Sequence, residues 1–225
     1  DGHGSLVSGA VLALVVIWLF ICLLVGWYWS SEPDLEPVAG APQPEMVNGE
    51  YTARTLRAVV QTLLEKPGGY LSNDIMPPGV WLDNMPNWEF GVLVQVRDIT
   101  RAMRRDMARS QSQSAEDPDL ARAEPLFHFD NKSWIMPATE SEYRDGLKAL
   151  NRYAGRLRAG DADFYARADN LGSWLGDVST RLGSLSQRLS ASVGQAPVTD
   201  GSRPREQTPW LEIDDVFYES RGSAW

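Results

Sequence analysis

Residues Leu6 to Trp29 read LVSGAVLALVVIWLFICLLVGWYW, twenty-four positions without a charged side chain. About twenty residues at the helical rise cross the hydrocarbon core of a bilayer. A helix also satisfies its backbone polar groups internally, which lipid demands. The stretch therefore predicts one transmembrane anchor over 1–29. Trp27, Tyr28 and Trp29 at its end would be interface anchors, because aromatic side chains favour the membrane–water boundary. Ser5, Gly9 and Ala13 fall on one face at four-residue steps, a small-xxx-small pattern that lets a second membrane helix approach closely. A cleavable signal peptide has an apolar run of about 7–15 residues ending at a small-residue site. The run here is longer and ends in WYWSSEPD, so it reads as an uncleaved anchor.

Outward from the anchor, residues 30–49 (SSEPDLEPVAGAPQPEMVNG) carry Pro33, Pro37, Pro42 and Pro44 among acids and small residues. Proline fixes φ and removes donors, so this reads as a stiff, extended tether holding the rest of the chain away from the bilayer. The remaining roughly 175 residues suffice for one domain with its own core. The chain has 225 residues and a net charge of −9, which disfavours nucleic acid as a partner. Its one cysteine, Cys22, lies inside the apolar run, so no intrachain disulfide is available. Asp1 is not Met, and DDVFYESRGSAW reads like a helix cut short. Both ends suggest a fragment.

Hydrophobic periodicity predicts an all-α domain of antiparallel helices over 50–193. Leu56, Val59, Val60, Leu63 and Leu64 mark a helix from Glu50 to Lys66, stopped by Pro67-Gly68-Gly69. Trp81, Leu82, Met85 and Trp88 would anchor the Pro- and Asn-rich loop that follows. A second helix is expected from Trp88 to Arg109, and SQSQSAEDPD then breaks the pattern. Residues 124–136 read as a packed irregular segment. Thr139-Glu-Ser-Glu resembles a cap-plus-acid helix start, and Gly160 ends that helix. Residues 194–208 are linker-like, and 209–225 begin a further helical element.

The segment Asp163–Val193 has the most regular pattern. Leu171, Leu175, Val178, Leu182, Leu185 and Leu189 alternate spacings of four and three, a coiled-coil seam. Small residues follow each one: Gly172, Gly176, Ser179, Gly183, Ser186 and Ser190. Glycine inside a helix costs about 1 kcal/mol against alanine. Three on one line imply that another backbone comes close, from the same domain or from a partner subunit. The packing candidates are therefore Leu175, Leu182, Leu189, Gly172, Gly176 and Gly183.

Catalytic chemistry finds little footing. His128 and Asp130 supply too few ligands for a transition-metal site, and no dense Asp/Asn loop offers calcium. Nucleophile-elbow and phosphate-cradling glycine motifs are missing. Asp74 and Asp83 lie in the aromatic loop, where a sugar would stack on Trp81 or Trp88, yet turn capping and core filling are the commoner uses of such residues. Arg97, Arg101, Arg104, Arg105 and Arg109 form a basic stripe. It suits acidic headgroups or an acidic partner, or a solvated face with ion pairs to Asp98 and Asp106. No catalytic, cofactor or metal residue is assigned.

The stretches TLLEKPGGYLSNDIMPPGVWLDNMPNWEFGVLVQVRD, RSQSQSAEDPDLA, FHFDNKSW, FYARADNLGSWL and TRLGSLSQRLSASVG resemble a proteobacterial family, domain of unknown function 2333, over Tyr51 to Trp225. The resemblance implies a basic N-terminal stub, one membrane helix and a mostly helical domain, with members continuing past the point matching Trp225. That stub would put the N-terminus in the cytoplasm and the domain in the periplasm. The positive-inside rule is silent here, because no Lys or Arg precedes Arg54. Glu32, Asp34 and Glu36 favour translocation of their side. The resemblance implies no activity and no cofactor. The sequence thus points to a single-pass inner-membrane accessory or scaffold subunit, whose partners are the lipid bilayer and a membrane protein complex. A homo-oligomer is compatible with this reading. An envelope hydrolase acting on cell-wall glycan through carboxylates and a periplasmic ligand-binding module are the alternatives.

Overall fold

A computed structural model describes residues 2–34, 42–110, 114–192 and 213–225. Among these residues there are seven helices and no strand, as the periodicity requires. Helix α1 spans Gly2–Trp29. Its segment Ser8–Trp29 has mean hydropathy 2.9 and is 11% buried, so it is long and apolar enough to cross a membrane.

Four helices build the core. Helix α2 (Glu50–Glu65) turns Ala53, Leu56, Val60, Leu63 and Leu64 inward. Helix α3 (Asn84–Ala102) begins four residues earlier than the periodicity suggests, because Asp83 caps it through Asn84 N at 2.9 Å. It runs on into one π-helical turn over Met103–Met107. Helix α4 (Pro118–Phe127) occupies part of the stretch expected to be irregular. Asp117 is its N-cap and Pro118 sits at its first position, where a missing N–H costs nothing. Helix α5 (Thr139–Ala159) ends at Gly160 in the left-handed region, φ 79°. Its N-cap is Ala138 rather than Thr139. The Thr139 hydroxyl instead reaches the carbonyl oxygens of Asp130 and Ser133 at 2.8 and 2.9 Å.

Helix α5 packs on α2 and α4, and its Tyr143, Leu150 and Tyr153 and Phe127 of α4 are fully buried, as is Trp88 of α3. Each such side chain contributes about 1.5–3 kcal/mol by leaving water. A buried ion pair fastens the loop after α2 to α3. Lys66 Nζ lies 2.5 Å from Glu89 Oε1, and Glu89 also accepts from Leu71 N and Ser72 N at 2.8 Å each. Burial pushes the Glu89 carboxyl above the usual carboxylate range, opposed by the Lys66 charge and these hydrogen bonds.

Helices α6 (Ala168–Ser192) and α7 (Ile213–Ala224) complete the fold. Residues 163–167 are not helical, with Tyr165 N donating to Met107 O at 2.6 Å. Helix α7 lies directly on α3 through Gly91 and Gly222. Helix α6 packs mainly on α7, with only slight contact to α3.

The end of α1 rests on the domain, contrary to the expectation of a tether that holds the two apart. A Cβ on Gly68 would stand 2.8 Å from the Trp29 ring, and one on Gly26 would stand 3.4 Å from Pro78. Arg221 pairs with Glu32 just past the helix at 2.5 Å. Part of the tether, residues 35–41, lies outside the described residues.

Candidate functional site

The predicted seam on α6 is largely unfilled by the described residues. Leu171 and Leu175 are each 50% exposed and Leu182 38%, while only Leu185 of the row is buried. Leu189 is half-buried. A Cβ built on Gly172, Gly176 or Gly183 would meet nothing within 4 Å. The expected close approach of a backbone along this line is therefore not made by the described residues.

Polar clamps at several points hold α6 in place. Arg181 pairs with Asp98 and donates to Gln95 Oε1 at 3.1 Å. Arg188 grips Glu219 of α7 through two bonds of 2.9 and 2.8 Å. Asn170 donates to Asp106 O at 2.6 Å. Such bidentate guanidinium–carboxylate pairs add geometric definition as well as attraction.

Between the clamps, α6 stands off from α2 and α3 and leaves a groove. One cavity of about 400 Å³ is lined by Ile99, Met107, Phe164, Tyr165, Leu171 and Trp174. A second of about 310 Å³ lies against Tyr51, Leu56, Val59, Val96, Ile99 and Trp174. Ile99 and Trp174 belong to both, so the two adjoin. The walls are apolar apart from Arg167 at one end and a few neutral polar groups. Trp174 Nε1 itself is buried without a hydrogen-bond partner among the described residues. An unpaired buried donor is costly, typically about 1–3 kcal/mol. The groove thus offers mainly apolar surface.

The other candidates fall into structural roles. Arg97 donates to Phe127 O and Phe129 O at 2.7 and 2.9 Å. Arg101 and Arg104 pair with Glu124 at 3.2 and 2.6 Å, and Arg109 pairs with Glu116 at 3.6 Å. The basic stripe thus largely stitches α3 and its π turn to the α4 region. His128 Nε2 faces the Arg101 guanidinium at 2.6 Å, which can only donate, so Nδ1 donates to Glu124 O at 2.9 Å. Asp130 accepts from Lys132 N at 2.9 Å in a turn. No cluster of three or more His, Cys, Asp or Glu suited to a metal occurs among the described residues.

In the aromatic loop, Asp83 caps α3 and Trp88 is fully buried, edge-on to Trp225 at 5.3 Å between ring centroids. That leaves no ring face of Trp88 for a sugar. Trp81, expected in the core, is 52% exposed and meets Trp18 of α1 instead, at 6.0 Å between centroids.

On α1, Ser5, Gly9 and Ala13 lie within the helix, and a Cβ on Gly9 would meet nothing within 4 Å. Trp27 and Tyr28 are exposed. Trp29 is turned onto the domain at Gly68 rather than fully outward.

The chain matches DUF2333, described as an uncharacterized protein conserved in bacteria, over residues 3–225, and it belongs to that family. No curated protein and no solved structure matches it.

Proposed function

We propose that this chain is a single-pass inner-membrane protein with a cytoplasmic N-terminus, and that its helical periplasmic domain is an accessory or scaffold subunit. In this reading a helix of another protein in a membrane complex packs along α6. The observation that carries it is the exposure of Leu171, Leu175 and Leu182 beside a glycine line that no described residue covers, next to an apolar groove. Exposed apolar surface of this extent is unfavourable unless covered. Glycines that cost helix stability are retained where a second backbone comes close. An amphipathic helix laid in an apolar groove is a common recognition mode.

Photo-crosslinking in cells tests the reading. A photoreactive residue at Leu175 should give one discrete adduct with a second protein. The same residue at Lys148, exposed on α5, should give none. No adduct at Leu175 in cells making normal levels of the protein contradicts the proposal.

A further inference from the structure

The loop between α2 and α3 contains eight consecutive uncharged residues, Ile75 to Leu82, bracketed by Asp74 and Asp83. Ile75, Met76, Val80 and Trp81 are each at least half exposed. Four large apolar side chains at the tip of one loop form a patch that water alone does not explain.

The position of the loop gives the patch a neighbour. It lies alongside α1, with the Trp81 ring edge-on to Trp18 and Pro78 and Leu82 against Gly26, at 3.4 and 3.8 Å from where its Cβ would stand. Cys22 and Gly26 are buried, whereas residues 8–21 of the helix are exposed. Trp18 precedes Trp29 by eleven residues, about 16 Å along a helix axis. That is roughly half of a hydrocarbon core of about 30 Å. If α1 crosses a bilayer, the Trp81 ring stands well below the level of Trp29.

The loop backbone is suited to such a setting. Val80 N, Trp81 N and Leu82 N donate to Met76 O, Pro78 O and Gly79 O at 3.1, 3.0 and 2.9 Å. Pro77 and Pro78 have no N–H to satisfy. Irregular backbone is tolerated near hydrocarbon only when its polar groups are paired. A second uncharged stretch, Ser133–Thr139, is fastened to the base of the loop. Asn73 Nδ2 donates to Ser133 O at 2.8 Å and to Glu140 at 2.7 Å. This stretch exposes Trp134, Ile135 and Met136.

We infer that Ile75–Leu82 is a second membrane-embedded element, entering the acyl region of the leaflet on the domain's side next to α1 and holding the domain against the bilayer. The inference rests on the reading of α1 as a membrane span. The loop's occupant is lipid, and its contact with α1 makes the lipid-facing surface continuous.

The test uses the whole chain in vesicles of phosphatidylethanolamine and phosphatidylglycerol. An environment-sensitive fluorophore is placed at single cysteines, Leu19→Cys, Val80→Cys and Lys148→Cys, in a Cys22→Ala background. Lipids carrying a nitroxide on the acyl chain should quench the labels at 19 and 80, and aqueous iodide should quench only the label at 148. If the label at 19 is lipid-quenched while that at 80 responds to iodide, or to neither quencher, the inference falls and the span stands. If iodide quenches both, the span itself fails, and the inference with it.

Discussion

Gly222 of α7 lies against the backbone of Trp88 in α3, such that a Cβ on Gly222 would stand 2.0 Å from the Trp88 carbonyl oxygen. The reverse contact is as tight, because a Cβ on Gly91 would stand 2.2 Å from Glu219 O and 2.7 Å from Ser223 N. These obstacles are backbone atoms, so no rotamer change relieves them. Gly222→Ala should therefore cost at least about 1–3 kcal/mol, despite alanine's better helix propensity. It should also loosen Trp225 from Trp88. Denaturant unfolding of the detergent-solubilised chain, followed by tryptophan emission, checks this. An unchanged midpoint would contradict it.

The same substitution has the opposite sign on α6. A Cβ at Gly172, Gly176 or Gly183 meets open space, so Gly→Ala at each should stabilise the isolated chain, by up to about 1 kcal/mol. If a partner backbone covers this line, the same variants should weaken association. A loss of stability in the purified chain would show that these glycines already face packed atoms.

The Lys66–Glu89 pair predicts a pH-dependent defect. Lys66→Met strands a buried carboxylate, which costs about 3–5 kcal/mol at neutral pH. Burial raises the Glu89 carboxyl in the folded state, and Lys66 lowers it. A carboxyl raised in the folded state favours folding when protonated, and that benefit is lost as pH rises past its unfolded value, about 4.3. Removing Lys66 extends that window upward, so the deficit against wild type should grow from about pH 4.5 to about pH 8. Equal deficits at both would refute this account of the pair.

At the start of α4, Asp117 serves two purposes. It accepts from Asp119 N and Leu120 N at 3.0 and 3.2 Å, and from Arg156 of α5 at 2.7 Å on each oxygen. Asp117→Ala should cost about 1–2 kcal/mol through the cap alone. Asp117→Asn keeps the cap and should lose less, with the difference shrinking at high salt. Thermal unfolding of both variants at two salt concentrations separates the contributions. A salt-independent difference would remove the charge from the explanation.

How far the sequence reveals this arrangement depends on what each signal reports. The apolar stripe of α2 and the Gly160 stop of α5 are local, and both elements lie within a residue of their expected ends. Helix α4 is hard to read from periodicity because Pro125 lies inside it. The better signal was Asp117-Pro118, a cap followed by a proline at the first helical position. Periodicity shows which face of α6 is apolar but not what covers it. The leucine row was legible, whereas its exposure and the groove beside it depend on residues of α2 and α3. The glycines that do meet another backbone, Gly91 and Gly222, stand alone in their helices and gave no line to read. Trp81 and Trp88 look alike in sequence, and contacts with distant Trp18 and Trp225 respectively separate their roles.

The most direct test of the proposed role is quantitative co-purification. The full-length protein, tagged and extracted in mild detergent, is compared with Leu175→Glu/Leu182→Glu, which alters side chains exposed on α6. Substitutions at exposed positions usually change stability by within about 0.5 kcal/mol each, so the variant should remain folded. The account predicts a stoichiometric second membrane protein with the wild type and its loss from the folded double variant. Wild-type protein that purifies alone, or a partner retained equally by the variant, would contradict it.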